Sequence, residues 1–588
     1  MTERVPVTDG GIDSDIRATR LRVLLRGALW ALFVVGLGIV FIFPATMIVI
    51  GVFRDGLPTA ADVPWTFDGF VAALSNPATW TTLLNSLILV AAGGTISTAG
   101  GAFFAWIGTN TDVPFRRALT PLMIINLFIP PLFYTFGWIM LGNAQNGLFN
   151  QVLRNLWGVE GLINIQSWGG LIFTISLGFV PFAYLLMLGA FRNRDQSLDE
   201  AASISGAGTF RTFFTITIPS VGPAITGAAI LIMVLIFQSF ENPYLLGKPA
   251  GIDVFATQIY AYIRDTTPAQ YTSAFTLSLM VILLVVVLFS IQRGLLRGRS
   301  FTTLTGKTSR RDPVRLGAVR WVFAALILLF LLLNLVIPLG AVLLGSLQPT
   351  FGVLNRLTLD NYTAVLADPL LRSSLVQTAW VSVVGGLIAM SVAFLTTYIV
   401  LRRRGFLRAY VSLAMWIPWA LPGIVLSLAF LFAVLAVPGW SGLYGTPLLL
   451  GIVLVVATIP LCVRLIEGAL AQLSPELEEA GKVSGASQSR VFLTIVLRLI
   501  LPSFLTGWFL AALFISGNLA VPMLLAPPGF QPVAVTALTL YVNGDYSGAA
   551  ALFMIILFAA AIVIGLVGLS RLLGSRISAR TSATNHAP

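Results

Sequence analysis

Apolar residues in this chain come in long unbroken blocks rather than at strand or surface-helix spacing. Trp30–Ile50, Val322–Leu344 and Ala551–Leu569 carry no charge, and each is about long enough to cross a bilayer as a helix. Twelve such blocks can be marked. Six lie near 28–53, 80–107, 118–142, 168–190, 220–240 and 272–292, and six near 318–346, 374–401, 410–436, 446–468, 502–525 and 548–573. A bilayer has no water to satisfy an open strand's backbone, so each block is expected to be helical. The pattern predicts an all-α, polytopic membrane protein with twelve transmembrane helices.

The blocks fall into two matching sets. Thr66-Phe67-Asp68-Gly69-Phe70, ending in Pro77, echoes Thr358-Leu359-Asp360-Asn361-Tyr362, ending in Pro369. Thr81-Thr82-Leu83 leading to Gly93-Gly94 echoes Ser373-Ser374-Leu375 leading to Gly385-Gly386, and Pro131 is paired with Pro422. Six spans per set is an even number, so both sets enter the membrane from the same side. Two parallel six-helix repeats follow, related by an axis along the membrane normal. The expected divisions are an N-terminal tail (1–27), a first transmembrane domain (28–297), a linker (298–317), a second transmembrane domain (318–573) and a C-terminal tail (574–588).

Composition agrees with this: 57% of residues are hydrophobic and 10% charged, against about 25% charged in a soluble domain. The formal net charge of +12 invites a nucleic-acid reading, but the positions of the basic residues speak for membrane topology. With the N-terminus inside, roughly 29 Lys and Arg fall on the cytoplasmic side. Outside lie Arg54, Arg154, Lys248, Arg264, Arg356 and Arg372. Both termini are therefore expected in the cytoplasm, and no nucleic-acid partner is expected. The first apolar block is too long for a signal peptide and has no small-residue exit, so it is expected to remain as an uncleaved span. One Cys, Cys462, and one His, His586, exclude a disulfide framework, a multi-histidine metal site and histidine catalysis within the membrane.

Two cytoplasmic loops, 193–219 and 472–502, carry the most informative motif. The first reads Glu200-Ala201-Ala202-Ser203-Ile204-Ser205-Gly206-Ala207 and runs on to Ile216-Thr217-Ile218-Pro219. The second reads Glu479-Ala480-Gly481-Lys482-Val483-Ser484-Gly485-Ala486 and runs on to Ile495-Val496-Leu497, with Pro502 matching Pro223. This spacing predicts a short helix, a turn and a second helix. Ser197 stands at capping-box distance from Glu200; Ser474 before Pro475 marks an N-cap followed by proline at the first helical position. Gly206 and Gly485 fall where positive φ is expected, and the small alanines allow another surface to approach closely. So short a helix is not stable alone and should dock against a partner.

These loops resemble the E-A-A-x(3)-G-x(9)-I-x-L-P loop of type I ATP-binding-cassette importer permeases, and the resemblance extends over the whole chain through the span count and both copies. It implies an ATPase-coupling role for Glu200, Ala201, Ala202, Gly206, Ile216, Pro219, Glu479, Ala480, Gly485, Ile495 and Pro502. It further implies two ATP-binding-cassette ATPase subunits, a periplasmic or lipid-anchored solute-binding protein, and a place in the bacterial inner membrane. Gly481 and Arg498, where the first copy has Ala202 and Pro219, depart from the pattern. ATP and Mg would bind the partner, with no cofactor and no catalytic or metal-binding residue on this chain. Gly306-Lys307-Thr308 looks like the end of a phosphate loop, but Phe301 stands where its first glycine is required.

Within that family the fused form is most similar to ferric-iron importer permeases, on the segments Phe240-Glu241-Asn242-Pro243-Tyr244-Leu245-Leu246-Gly247 and Leu525-Ala526-Pro527-Pro528-Gly529-Phe530. Thiamine, aminoethylphosphonate and polyamine permeases are alternatives. Polar residues at membrane depth tend to face a cavity or a partner; Asn85, Gln238, Glu241, Asn242, Gln377, Ser516 and Asn518 are the pathway candidates. Glu241 and Asn242 are expected near an outer helix end. A secondary transporter would need ionisable groups buried in the spans, which hold almost none at mid-depth, and a lipid-linked-sugar enzyme would need paired carboxylates or a metal cluster at the interface, where the acids are scattered.

Overall fold

A computed structural model describes residues 27–28, 30–54, 56–58, 64–194, 197–296, 313–353 and 356–584. Almost all of the N-terminal tail and most of the linker lie outside the described residues. Among those described, the chain is helical, with two isolated bridges, Arg54 with Trp65 and Thr111 with Val314.

Among the described residues, ten helices are continuous and apolar enough to cross a membrane. In the first half these are span 1 (Trp30–Val52), span 2 (Pro77–Asn110), span 4 (Trp168–Asn193), span 5 (Thr209–Gln238) and span 6 (Tyr271–Leu295). In the second they are span 7 (Val319–Ser346), span 8 (Pro369–Arg402), span 10 (Pro447–Ala471), span 11 (Gln488–Ser516) and span 12 (Tyr546–Leu566). The third and ninth blocks are instead broken. Arg116–Leu127 meets Pro131–Gly142 at 99°, and Phe406–Ala420 meets Gly423–Ala436 at 116°. Proline explains both breaks: Pro130 and Pro422 each occupy the N-cap of the outer segment and supply no N–H to continue the helix. The proline matching Pro422 is therefore Pro130, not Pro131.

Each broken pair still crosses the bilayer. Thr120 on the inner segment of span 3 lies 2.6 Å from the Tyr184 hydroxyl. On the outer segment Trp138 meets Phe173 edge-on, ring centroids 4.9 Å apart, about 16 Å further along span 4 at 1.5 Å per residue. In span 9, Tyr410 donates to the Val34 carbonyl at 2.8 Å, and Phe432 meets Phe275 at 4.4 Å. Phe275 is the ring that covers Gly51, so span 9 follows span 1 for about 25 Å. Twelve crossings in two parallel sixes result.

The halves interlock. Span 7 packs on span 3, where Asn126 donates to the Asn334 carbonyl at 3.0 Å and Gly137 lies against the Pro338 backbone. Span 1 packs on span 9 in the same way, with Tyr410 over Gly38. Matching π-helical turns, Gly38–Ile42 and Leu332–Val336, widen spans 1 and 7 at these places. Where the linker re-enters the described structure, Val314 donates to the Asn110 carbonyl at 2.8 Å and the Asp112 carboxylate accepts from Leu316 N at 3.0 Å.

Spans 5 and 11 begin earlier than the apolar pattern suggested, at Thr209 and Gln488, and pass through π turns at Phe213–Thr217 and Phe492–Val496. The second helix of each motif-bearing loop is thus the foot of a span rather than a separate piece. The Gly93-Gly94 and Gly385-Gly386 pairs sit in the middle of 34-residue helices, facing Ile236 and Met233 in one half and Ile515 and Ala512 in the other. Spans 5 and 11 accordingly end midway across the membrane.

Candidate functional site

The two hairpins share the same closing bonds. Their short helices are Ser197–Ile204 and Pro475–Val483. Ser474 caps the second, accepting from Glu476 N at 3.2 Å. The Ser197 and Glu200 side chains lie outside the described residues, so the first capping box has no structural counterpart to report. Both helices close the same way. Ala207 N donates to the Ala202 carbonyl at 2.9 Å, and Ala486 N to the Gly481 carbonyl at 3.1 Å. Gly206 and Gly485 take φ of +80° and +82°. These are the six-to-one bond and left-handed residue of a Schellman stop.

Ala201, Glu479 and Ala480 are exposed, whereas Ala202 and Gly481 are half-buried and turn inward. A Cβ on Gly481 would come within 2.9 Å of Val491 and 3.0 Å of Ile495. The departure at Gly481 therefore makes room for Val491, which stands where the first hairpin has the smaller Thr212; it belongs to the hairpin's own packing. Ile216 and Ile495 are half-buried, and Pro219, Pro502 and Arg498 are exposed.

Two features escaped the sequence reading. Ile204 and Val483, at matching positions just before each turn, are both 89% exposed. A β-branched aliphatic at that position in both copies was the available signal. The second feature is an asymmetry in anchorage. Glu478, next to the exposed Glu479, accepts from Arg402 Nε at 2.8 Å and from the Tyr398 hydroxyl at 2.7 Å. This ties the second hairpin to span 8. In the first hairpin Asp199 pairs with Arg194 at the end of span 4. Arg402→Ala strands a nearly buried carboxylate and should destabilise the second hairpin by about 2 kcal/mol. Amide exchange across 475–483 should speed up roughly thirtyfold, and 197–204 should not change; hydrogen–deuterium exchange reads both.

The pathway candidates divide by location. Asn85 donates to the Asp253 carbonyl at 3.0 Å, Gln377 to the Gly529 carbonyl at 3.2 Å, and Ser516 to the Leu513 carbonyl in its own helix at 2.8 Å. The others gather where the halves meet. Gln238, ending span 5, donates to the Trp419 carbonyl at the break in span 9. The Glu241 carboxylate accepts from Leu519 N at 3.4 Å, Asn242 accepts from the Thr135 hydroxyl at 2.5 Å, and Asn518 accepts from Val521 N at 3.0 Å. Gly517 abuts Pro130 at the other break. Each mid-membrane helix end thus meets the broken span of the opposite half. Glu241 and Asn242 follow closely on Ile236, which is level with Gly93, so they lie deeper than the outer helix end expected for them.

Further out, Tyr244 and Tyr260 form an edge-on pair with centroids 5.6 Å apart, and Lys248 lies over both rings at 5.6 and 5.8 Å. Burial, the main cause, and the neighbouring Tyr244 push the Tyr260 hydroxyl up to about 12; burial also raises Tyr244.

A family model described as binding-protein-dependent transport system inner membrane component matches residues 97–301 and 382–579. The chain is similar to a ferric transport system permease protein of Actinobacillus pleuropneumoniae, 26% identical over 79% of this chain and 66% of that protein. It is also similar to a putative ferric transport system permease protein of Haemophilus influenzae, 27% identical over 72% and 67%. The chain spans about two thirds of the length of these ferric relatives. A sulfoquinovosyl glycerol transport system permease protein of Agrobacterium fabrum is 30% identical over 39% of this chain and 76% of its own length. Among solved structures, a bacterial alginate ABC transporter bound to its pentasaccharide-loaded periplasmic protein aligns with 48% of this chain and 96% of its own chain, at TM-score 0.38 and 18% identity.

Proposed function

The chain belongs to the binding-protein-dependent transport system inner membrane component family, and from that premise we propose that it is the permease of an ATP-driven importer, with ferric iron as its solute. ATP is hydrolysed by two separate ATP-binding-cassette subunits docked on the two hairpins, and an external binding protein delivers the solute. The observation that carries this reading is the pair of matching hairpins, each stopped by a glycine at positive φ and each presenting one aliphatic side chain to solvent. Iron is supported by the two ferric relatives and by a junction whose polar groups are mostly oxygen donors. Selectivity for iron then rests with the binding protein.

The test is reconstitution in liposomes with the ATPase subunits and the binding protein. Ferric iron should stimulate ATP hydrolysis and accumulate inside, and the chain alone should hydrolyse no ATP. Stimulation by thiamine, aminoethylphosphonate or a polyamine instead would replace iron and leave the importer reading intact; hydrolysis by the lone chain would overturn it. The orientation, with both termini cytoplasmic, follows from the basic residues. A membrane-impermeant thiol reagent added outside should label Asp360→Cys, at the start of the helix Asp360–Ala367, and miss Gly405→Cys, between spans 8 and 9. Native Cys462 is buried and gives no background.

A further inference from the structure

Glu241 is the charged group among the polar side chains gathered at the junction; Gln238, Asn242, Asn518 and Thr135 are neutral. The Glu241 carboxylate accepts from Leu519 N at 3.4 Å, at the N-terminal end of the helix Ala520–Leu525 in the other half, with Ala520 N beside it and the N–H groups of Phe240 and Glu241 on its own side. The neutral Asn518 side chain does the equivalent work for Val521 N at 3.0 Å. At 3.4 Å the bond from Leu519 is longer than the ordinary 2.7–3.2 Å, and both it and the Ala520 N–H come from the opposite half. On the register that pairs Pro223 with Pro502, Ala520 stands at the matching position of the second half, so this carboxylate occurs once and not by symmetry. A lone carboxylate at membrane mid-depth is costly and marks a pathway.

We propose that Glu241 is the cation contact of the translocation pathway, latched across the two halves when the junction is shut and freed to meet a positively charged solute when it opens. This rests on the permease reading. Separation of the halves pulls Leu519 and Ala520 away from Glu241 and leaves its carboxylate, now with the Phe240 and Glu241 N–H groups only, facing the gap. Asn242, next in the chain, and the Thr135 hydroxyl bonded to it add amide and hydroxyl oxygen atoms at the same junction. A carboxylate with amide and hydroxyl oxygens suits a hard metal cation, not an anion and not a soft metal. The transient site would replace part of the solute's hydration without binding it tightly enough to stop release.

The test uses the whole importer in liposomes with its ATPase subunits and binding protein, counting ferric iron taken up per ATP hydrolysed. Glu241→Gln keeps the size and can still accept from Leu519 through its amide oxygen, but removes the charge; uptake per ATP should fall at least tenfold. Glu241→Asp, which keeps the charge, should retain a third or more of wild-type uptake. Retention of the ATPase subunits in a pull-down shows that each variant is assembled. Wild-type uptake by Glu241→Gln, or equal loss in Gln and Asp variants that assemble, would overturn the proposal while the permease reading stands. ATP-driven uptake of aminoethylphosphonate in place of iron by the wild type would overturn the cation class. ATP hydrolysis by the lone chain would remove the permease reading itself.

Discussion

Valine in place of either Gly206 or Gly485 is expected to cut ATP-driven uptake by roughly ten- to a hundredfold while the membrane fold stays intact. Both glycines sit at φ near +80°, where a β-branched residue costs about 1–3 kcal/mol. Nothing lies within 4 Å of a Cβ built at either position, so the lesion is one of backbone conformation and not of crowding. Helices of eight and nine residues have little stability of their own to absorb it. The Schellman bonds from Ala207 and Ala486 would be lost, and the exposed tip of each hairpin would turn away from its partner. Gel filtration of the detergent-solubilised variants should match wild type, and pull-down of the ATPase subunits should be weak. Full binding and full transport by both variants would mean that these hairpins are not the coupling elements.

Aspartate at Ile204 and at Val483 should act on the partner contact directly. Each side chain is 89% exposed in the permease, and its full burial against an ATPase subunit would contribute about 1.5–3 kcal/mol. A carboxylate there forfeits that gain and adds a desolvation cost. Either single variant should lower ATPase retention about tenfold or more, and the double variant should abolish uptake. Ile204→Val and Val483→Ile, which keep the aliphatic surface, should bind as wild type. Unchanged retention by the double aspartate variant would sink the docking assignment for these two residues.

The duplicated spans, the two hairpins and the glycine turns were readable in the sequence because each depends on local chemistry: charge-free runs, a small-residue turn, and Ser474 before Pro475. The bends of 99° and 116° were not, since Pro130 and Pro422 lie inside blocks that are apolar on both sides of the break. The feet of spans 5 and 11 were hidden for the opposite reason. Arg211, Thr212 and Thr215, or Arg490 and Thr494, look like loop residues, but Thr215 and Thr494 hydroxyls bond back to the Arg211 and Arg490 carbonyls within the helix. Glu478 and Glu479 are neighbours of one type; only the fold sets Arg402 and Tyr398 opposite the first and solvent opposite the second. The depth of Glu241 likewise depends on where span 5 stops, which an apolar run does not disclose.

The interlocking of the halves bears on how the chain is made. Tyr410 reaches Val34 across 376 residues. At the usual 5–20 residues per second, span 1 is in the membrane for about 20–75 seconds before span 9 is synthesised. During that interval Gly38 and the widened turn around it face lipid. Span 7 has no such wait, because the span 3 surface that receives it already exists when it emerges. The first helix made thus docks in two stages: Phe275 of span 6 covers Gly51 while the first half is completed, and the surface around Gly38 is covered only when span 9 brings Tyr410 to Val34.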